Sequence, residues 1–254
     1  MPRPRRTFPD ASHRSARVTA PEVLHTYLVE PLRESIAEVK PHLRGWLHLA
    51  ILPLTVAGGL VLILMSPDGV TRAGSAIFIA SALLLFGVSA AYHRGSWSPA
   101  TWRTLRRLDH CNIFVLIAGS STAYALLLLD PDESTPMLVI VWSSALVGVA
   151  ARFVWPDAPR WISPPIYVGC GWGAVLFIPG FLDGASQLGA VGAATLVLLA
   201  AGGALYIAGA VVYGFRRPDP WPRWFGFHEV FHALTVLAFA SHYGGILLAT
   251  QAMR

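Results

Sequence analysis

The chemistry this chain could carry starts with His228-Glu229-Val230-Phe231-His232, where a charged turn gives way to the last long apolar run. Histidines four apart on a helix share one face about a turn apart, so both imidazoles can reach a single metal ion. Two ligands do not make a site. The upstream candidate is Ser89-Ala90-Ala91-Tyr92-His93, a second i, i+4 pair at the end of another apolar run, followed after a basic turn by Leu108-Asp109-His110. Three imidazoles, from His93, His228 and His232, leave a fourth position open in a tetrahedral zinc shell, which is the pattern of a catalytic rather than a structural zinc. In that reading Asp109 is the general base for a metal-activated water. The alternative makes Asp109 a helix-capping carboxylate beside Arg106 and Arg107. Ser89 stands one turn from His93 on the same face. It either bonds back to its own helix or hydrogen-bonds the water or a developing oxyanion.

The elements that must position these residues belong in a bilayer. Of 254 residues 54% are hydrophobic and 13% charged, and the mean hydropathy is +0.54, a balance no ordinary water-soluble globule needs. Seven apolar stretches run approximately Gly45 to Ser66, Thr71 to Tyr92, Asp109 to Leu129, Pro136 to Trp155, Ile162 to Leu182, Leu188 to Phe215 and Phe225 to Thr250. Each is long enough to cross ~30 Å of hydrocarbon at 1.5 Å per residue. The expected fold is therefore an all-α membrane protein, a seven-transmembrane helix bundle over residues 45–254. Pro164, Pro165 and Pro179 predict a kinked or partly re-entrant fifth span.

Lys and Arg are divided unevenly between the two sides of such a bundle. The N-terminal segment holds eight, the turn after the second span four, after the fourth two and after the sixth three, seventeen in all, against Arg72 and Arg254 opposite. This imbalance predicts a cytoplasmic N-terminus and an external C-terminus. The second span then ends, and the third and seventh begin, on the cytoplasmic side. His93, Asp109, His228 and His232, far apart in sequence, fall at one depth near the inner leaflet. His48 at the start of the first span belongs to the same side, where it either lines the same cavity or packs at the interface. His110, 100° of helix rotation from Asp109, is expected to face elsewhere. His242 lies ten residues, or ~15 Å, beyond His232, so it is read as a buried polar group nearer the outer leaflet.

Residues 1–44 read as a basic cytoplasmic tail without an apolar signal region. Within it Leu24, Leu28, Leu32 and Ile36 recur every four positions around Pro31, which fits an interfacial amphipathic helix or a loosely helical linker. The net charge of +5 resides mainly in arginines at the ends of apolar runs. Anionic lipid headgroups are thus the expected electrostatic partner, and nucleic acid is not, because no recognition motif or stacking platform accompanies the charge. Cys111 and Cys170 lie inside apolar runs as buried thiols and build no disulfide framework.

The literal match of residues 228–232 to H-E-x-x-H raises an intramembrane zinc protease with Glu229 as base. The chain beyond His232 has no Asp or Glu to complete such a site, and Asp109 would be left without a task. Ser89-x-x-x-His93, Leu108-Asp109 sixteen residues after that histidine, Ile117-Ala118-Gly119 and His228-x-x-x-His232 together resemble the hemolysin III proteins, relatives of the progestin and adiponectin receptors. The resemblance covers Gly45 to about residue 250. It implies a cytoplasmic-side zinc held by His93, His228 and His232, with Asp109 and Ser89 beside a metal-bound water, and it brings similarity to alkaline ceramidases, which hydrolyse a sphingolipid amide. In the family's first motif His48 aligns, but Pro41 and Arg44 occupy the polar positions usually held by Glu and Asn. The expected function is a zinc-dependent hydrolase of a lipid amide or ester in the plasma membrane. The competing expectations are a membrane sensor with structural zinc, relaying to an unidentified protein partner, and a cytolytic pore.

Overall fold

Runs of twenty or more apolar residues have one open-chain solution in hydrocarbon, a helix that satisfies every backbone N–H and C=O internally. The computed structural model describes residues 41–155 and 162–254; the basic tail and its amphipathic segment lie outside the described residues. The described chain is helical: α1 Trp46–Met65, α2 Gly69–Arg94, α3 Pro99–Leu128, α4 Pro131–Val154, α5 Ser163–Trp172, α6 Ile178–Ser186, α7 Gly189–Phe215 and α8 Phe227–Ala252. Seven spans among the described residues are long and apolar enough to cross a membrane, the fifth comprising Pro164–Ser186.

That fifth span is interrupted, as its prolines predict, and the break is specific. Residues Gly173–Phe177 tighten into a 3-10 turn between α5 and α6. Pro164 and Pro179 sit in the first turns of α5 and α6, where the missing N–H would have had no intrahelical partner.

Two helix starts differ from the sequence-based boundaries. Helix α3 begins at Pro99, capped by Ser98, ten residues before the apolar stretch does. Its 30 residues make a rod of about 45 Å, longer than the hydrocarbon, so its arginine-bearing first turns project beyond the apolar layer. Asp109 is therefore a mid-helix residue in the third turn, and the capping role is excluded. Helix α4 likewise starts at Pro131, with Pro136 inside its N-terminal turns. Hydropathy finds the apolar part of a helix, and charge on the first turns hides the rest.

Helix α3 is the axis of the bundle: 72% of its most apolar window is buried, against 22% for α1 and α4. The outward faces of α1 and α4 carry exposed Leu54, Leu60, Leu64, Leu146 and Val147, as helices facing lipid require. Phe78, Phe86, Phe114, Tyr124 and Phe239 fill the centre. Small residues set the closest approaches, as in other membrane bundles. A Cβ on Gly119 of α3 would lie 2.2 Å from Ser81 Oγ of α2. Both cysteines are free and buried.

Substituting Gly119→Ala is expected to destabilise the bundle by about 1–3 kcal/mol through overpacking of α2 against α3. Gly87→Ala, where an added Cβ meets nothing within 4 Å, is expected to be neutral. Thermal unfolding of the detergent-solubilised protein measures both.

Candidate metal centre and its cavity

Because successive spans alternate in direction, the last turn of α2 and the first turns of α1, α3 and α8 share one end of the bundle. The turns at that end fix how the helices enter it. Helix α8 starts after Gly226, and Asp219 Oδ1 accepts a hydrogen bond from the Phe227 amide at 2.8 Å. Glu229 Oε2 reaches back to the Gly226 N–H at 2.9 Å, a capping interaction. Its other oxygen, Oε1, accepts from Arg44 Nε, and Glu229 is only 1% exposed. The backbone of His42 and Leu43 donates to Arg223 O and Trp224 O at 3.0 and 3.2 Å. Together these contacts tie the entry of α1 to the entry of α8. Gly45 then takes a left-handed turn, φ 80°, and an added Cβ there would stand 2.7 Å from His93 Cβ. Only glycine passes between the α1 entry and the end of α2 without displacing His93.

Onto this frame the expected ligands converge. One donor atom from each of His93, His228 and His232 lies within 4.8 Å of the others, and they form a potential metal-binding group among the described residues. His93 and His232 are 6% and 2% exposed. The Nε2 atoms of His93 and His228 are 3.3 Å apart. Two nitrogens bound at about 2.0–2.1 Å to one tetrahedral zinc are themselves about 3.3–3.4 Å apart, so this pair already has the spacing of a shared ion. The donor set fits zinc: three imidazoles, no thiolate, and a carboxylate alongside.

Asp109 Oδ2 lies 3.8 Å from His93 Nε2, with the Asp109 side chain 16% exposed. That is too long for a direct hydrogen bond, and it sets the carboxylate beside the nitrogen that faces His228. Ser89, 1% exposed, lines the same cavity as Asp109, and its Oγ has no partner among the described residues. It does not bond back to its own helix. Four of the five residues expected to carry the chemistry, Ser89, Asp109, His228 and His232, line a common cavity of about 270 Å³ together with His48, and His93 joins them through the three-histidine group and its approach to Asp109.

Three features differ from expectation or were not visible in the sequence. His48 stacks on His232, with ring centroids 3.9 Å apart and planes at 18°, so it lines the cavity rather than the membrane interface. Both of its nitrogens lack a partner among the described residues. His110 does not face elsewhere: it lines the cavity too. Its Nδ1 is 2.6 Å from Arg106 O and its Nε2 3.4 Å from Tyr213 OH of α7. Helix rotation from Asp109 is no guide here, because α7 closes the cavity on the side His110 faces. Finally, Glu229 is occupied by Arg44 and its own helix start, which removes it as the base of an H-E-x-x-H protease. Arg44, the departure in the first motif, is the residue that holds it. A buried carboxylate beside an arginine near a helix start is the signal that could have suggested this pair, but 185 residues separate them.

A helical bundle of seven apolar spans with a polar, histidine-rich end defines a multi-pass integral membrane protein. The haemolysin-III related family matches residues 36–243, and the chain belongs to that family. It is 31% identical over 141 residues to the hemolysin-3 homolog of Bacillus subtilis (strain 168), covering 56% of this chain and 63% of that protein. To the adiponectin receptor protein of Drosophila melanogaster it is 28% identical over 184 residues, covering 66% of this chain and 40% of the receptor. The progestin and adipoQ receptor-like protein 1 of Caenorhabditis elegans is 29% identical over 182 residues, with 42% of its length covered. The matches thus span roughly two fifths to three fifths of these relatives' lengths.

Removing one member of a buried ion pair leaves the other uncompensated, at a cost of about 3–5 kcal/mol. Arg44→Ala is therefore expected to lower the unfolding midpoint sharply, and Arg44→Met combined with Glu229→Leu to recover much of the loss. Thermal unfolding of the purified variants checks this; equal losses in the single and double variants would contradict the pairing.

Proposed function

We propose that the protein is a zinc-dependent hydrolase that cleaves an amide or ester bond of a lipid at the cytoplasmic side of the plasma membrane. The observation that carries this reading is the Asp109 carboxylate 3.8 Å from a nitrogen of the three-histidine group, inside a cavity whose remaining wall is mainly apolar. A structural metal needs no carboxylate at that distance. The excess of Lys and Arg on the side of the N-terminus supports the orientation, and the same residues suit anionic lipid headgroups.

The chemistry supplied by a bound zinc is Lewis acidity toward a carbonyl oxygen and acidification of water at neutral pH. His93, His228 and His232 would hold the ion and so fix where the scissile bond must lie. Asp109 orients the attacking water, accepts its proton, and returns that proton to the departing amine or alkoxide as the C–N or C–O bond breaks. The Ser89 hydroxyl donates a hydrogen bond to the carbonyl oxygen as negative charge develops there. The apolar wall holds the acyl chain and keeps bulk water from the reacting centre.

Asp109→Asn should retain one zinc per chain by metal analysis while lowering lipid hydrolysis by ~10²–10⁴-fold, the range for loss of a general base. Ser89→Ala should also keep the metal and lose less activity. Stoichiometric zinc with no turnover of any acyl lipid would overturn the hydrolase reading. Two relatives carry receptor names, which favours as second reading a sensor whose zinc is structural. In that case His228→Ala costs folding stability and Asp109→Asn leaves the protein's response intact. A cytolytic pore, the reading suggested by the name of the Bacillus relative, requires dye release from liposomes by the purified protein.

A further inference from the structure

The cavity does not end at the histidine group. The same space is lined by Thr235, Leu199, Tyr206 and His242, and His242 follows His232 by ten residues of α8, about 15 Å along the helix. Its walls between these ends are mainly apolar. At the far end, however, sits a second polar cluster that the proposed hydrolysis does not use.

His242 is 6% exposed. Its Nε2 is 3.3 Å from Leu199 O, a carbonyl that can only accept. Nε2 therefore carries the proton, and the other nitrogen, Nδ1, presents a bare lone pair. Nδ1 has no partner among the described residues. The Tyr206 hydroxyl is likewise buried and without a partner among the described residues, and its ring meets the His242 ring edge-on at a centroid separation of 5.5 Å. The surroundings hold the imidazole in place. Tyr124 donates to the His242 carbonyl at 3.2 Å, and Gly202 lies so close that an added Cβ would be 2.1 Å from the ring. A buried acceptor and a buried hydroxyl on one cavity wall, each unsatisfied, are costly unless something completes them.

We infer that the His242–Tyr206 end of the cavity is a second subsite, which selects a lipid carrying a hydroxyl group on its chain about 15 Å from the reacting carbonyl, the reach of ten helical residues. A hydroxyl can donate to His242 Nδ1 and accept from Tyr206 O–H, and the two rings, with centroids 5.5 Å apart, are close enough for one such group to serve both. A carbonyl or ether cannot donate to the nitrogen, and a plain methyl end satisfies neither. The inference rests on the reading of this cavity as a lipid site, and it adds the class of lipid.

The test is direct binding to the full chain in lipid nanodiscs, by calorimetric titration with ω-hydroxydodecanoic acid and dodecanoic acid. Wild type is expected to bind the hydroxy acid at least fivefold more tightly, the size of one net hydrogen bond. Tyr206→Phe, which keeps the ring and so the packing, should reduce that preference to about twofold or less while leaving dodecanoic acid binding unchanged. Gly203 lines the cavity where an added Cβ meets nothing within 4 Å, so Gly203→Leu should block both ligands. Equal affinity of wild type for the two acids would overturn the subsite and leave the lipid reading standing, with a trapped water as what completes the two groups. Binding of neither acid would overturn both.

Discussion

Three imidazoles gathered within 4.8 Å of one another in a bundle surrounded by hydrocarbon are the constraint on which the rest of this protein depends. Polar and ionisable groups in membrane helices are costly, and they persist where they bind something or bind one another. Here they come from α2 and α8, spans far apart in sequence, so the cluster exists only if both helices end at the same level. The residues that ensure this lie in the turns. Arg44 clasps Glu229, His42 and Leu43 pair with the backbone before α8, and Gly45 leaves room for His93. The loops at this end of the bundle thus act as the site's scaffold, and the apolar helices supply depth and dryness.

The cavity that opens from the cluster is chemically graded. One end gathers imidazoles, a carboxylate and a hydroxyl; the middle is lined by side chains such as Ile113, Leu116, Ile117 and Phe231; the far end returns to polar groups at Tyr206 and His242. A long amphipathic molecule matches this sequence of surfaces, and a small polar one does not. The same grading separates the roles of the histidines. His93, His228 and His232 bring donor atoms to a common point, His48 stacks flat on His232, His110 pairs with Tyr213 across the wall, and His242 stands a cavity's length away.

Much of this was legible in the sequence because the bilayer simplifies the code. Seven apolar stretches, an i, i+4 histidine pair and alternating span direction were enough to bring His93, Asp109, His228 and His232 to one end. The resemblance to the hemolysin III proteins was read from these positions together with Ser89 and Ile117-Ala118-Gly119. What escaped was whatever hydropathy does not weigh. The first ten residues of α3 are helical but charged, so a capping role for Asp109 stood as the alternative to a general base, whereas Asp109 is a mid-helix residue. The Arg44–Glu229 pair joins segments at opposite ends of the chain, and no periodicity connects them. The position of His110 depends on α7 packing across from it, which no single-helix wheel contains. Ser89 remained ambiguous until the fold turned its hydroxyl away from the backbone of its own helix.

X-ray absorption at the zinc edge of the purified protein tests the central claim most directly. The account predicts one zinc per chain with three imidazole nitrogens and one oxygen at about 2.0–2.1 Å, and loss of the imidazole signal in His93→Ala. A folded protein that binds no metal, or a metal shell unchanged by that substitution, would contradict it.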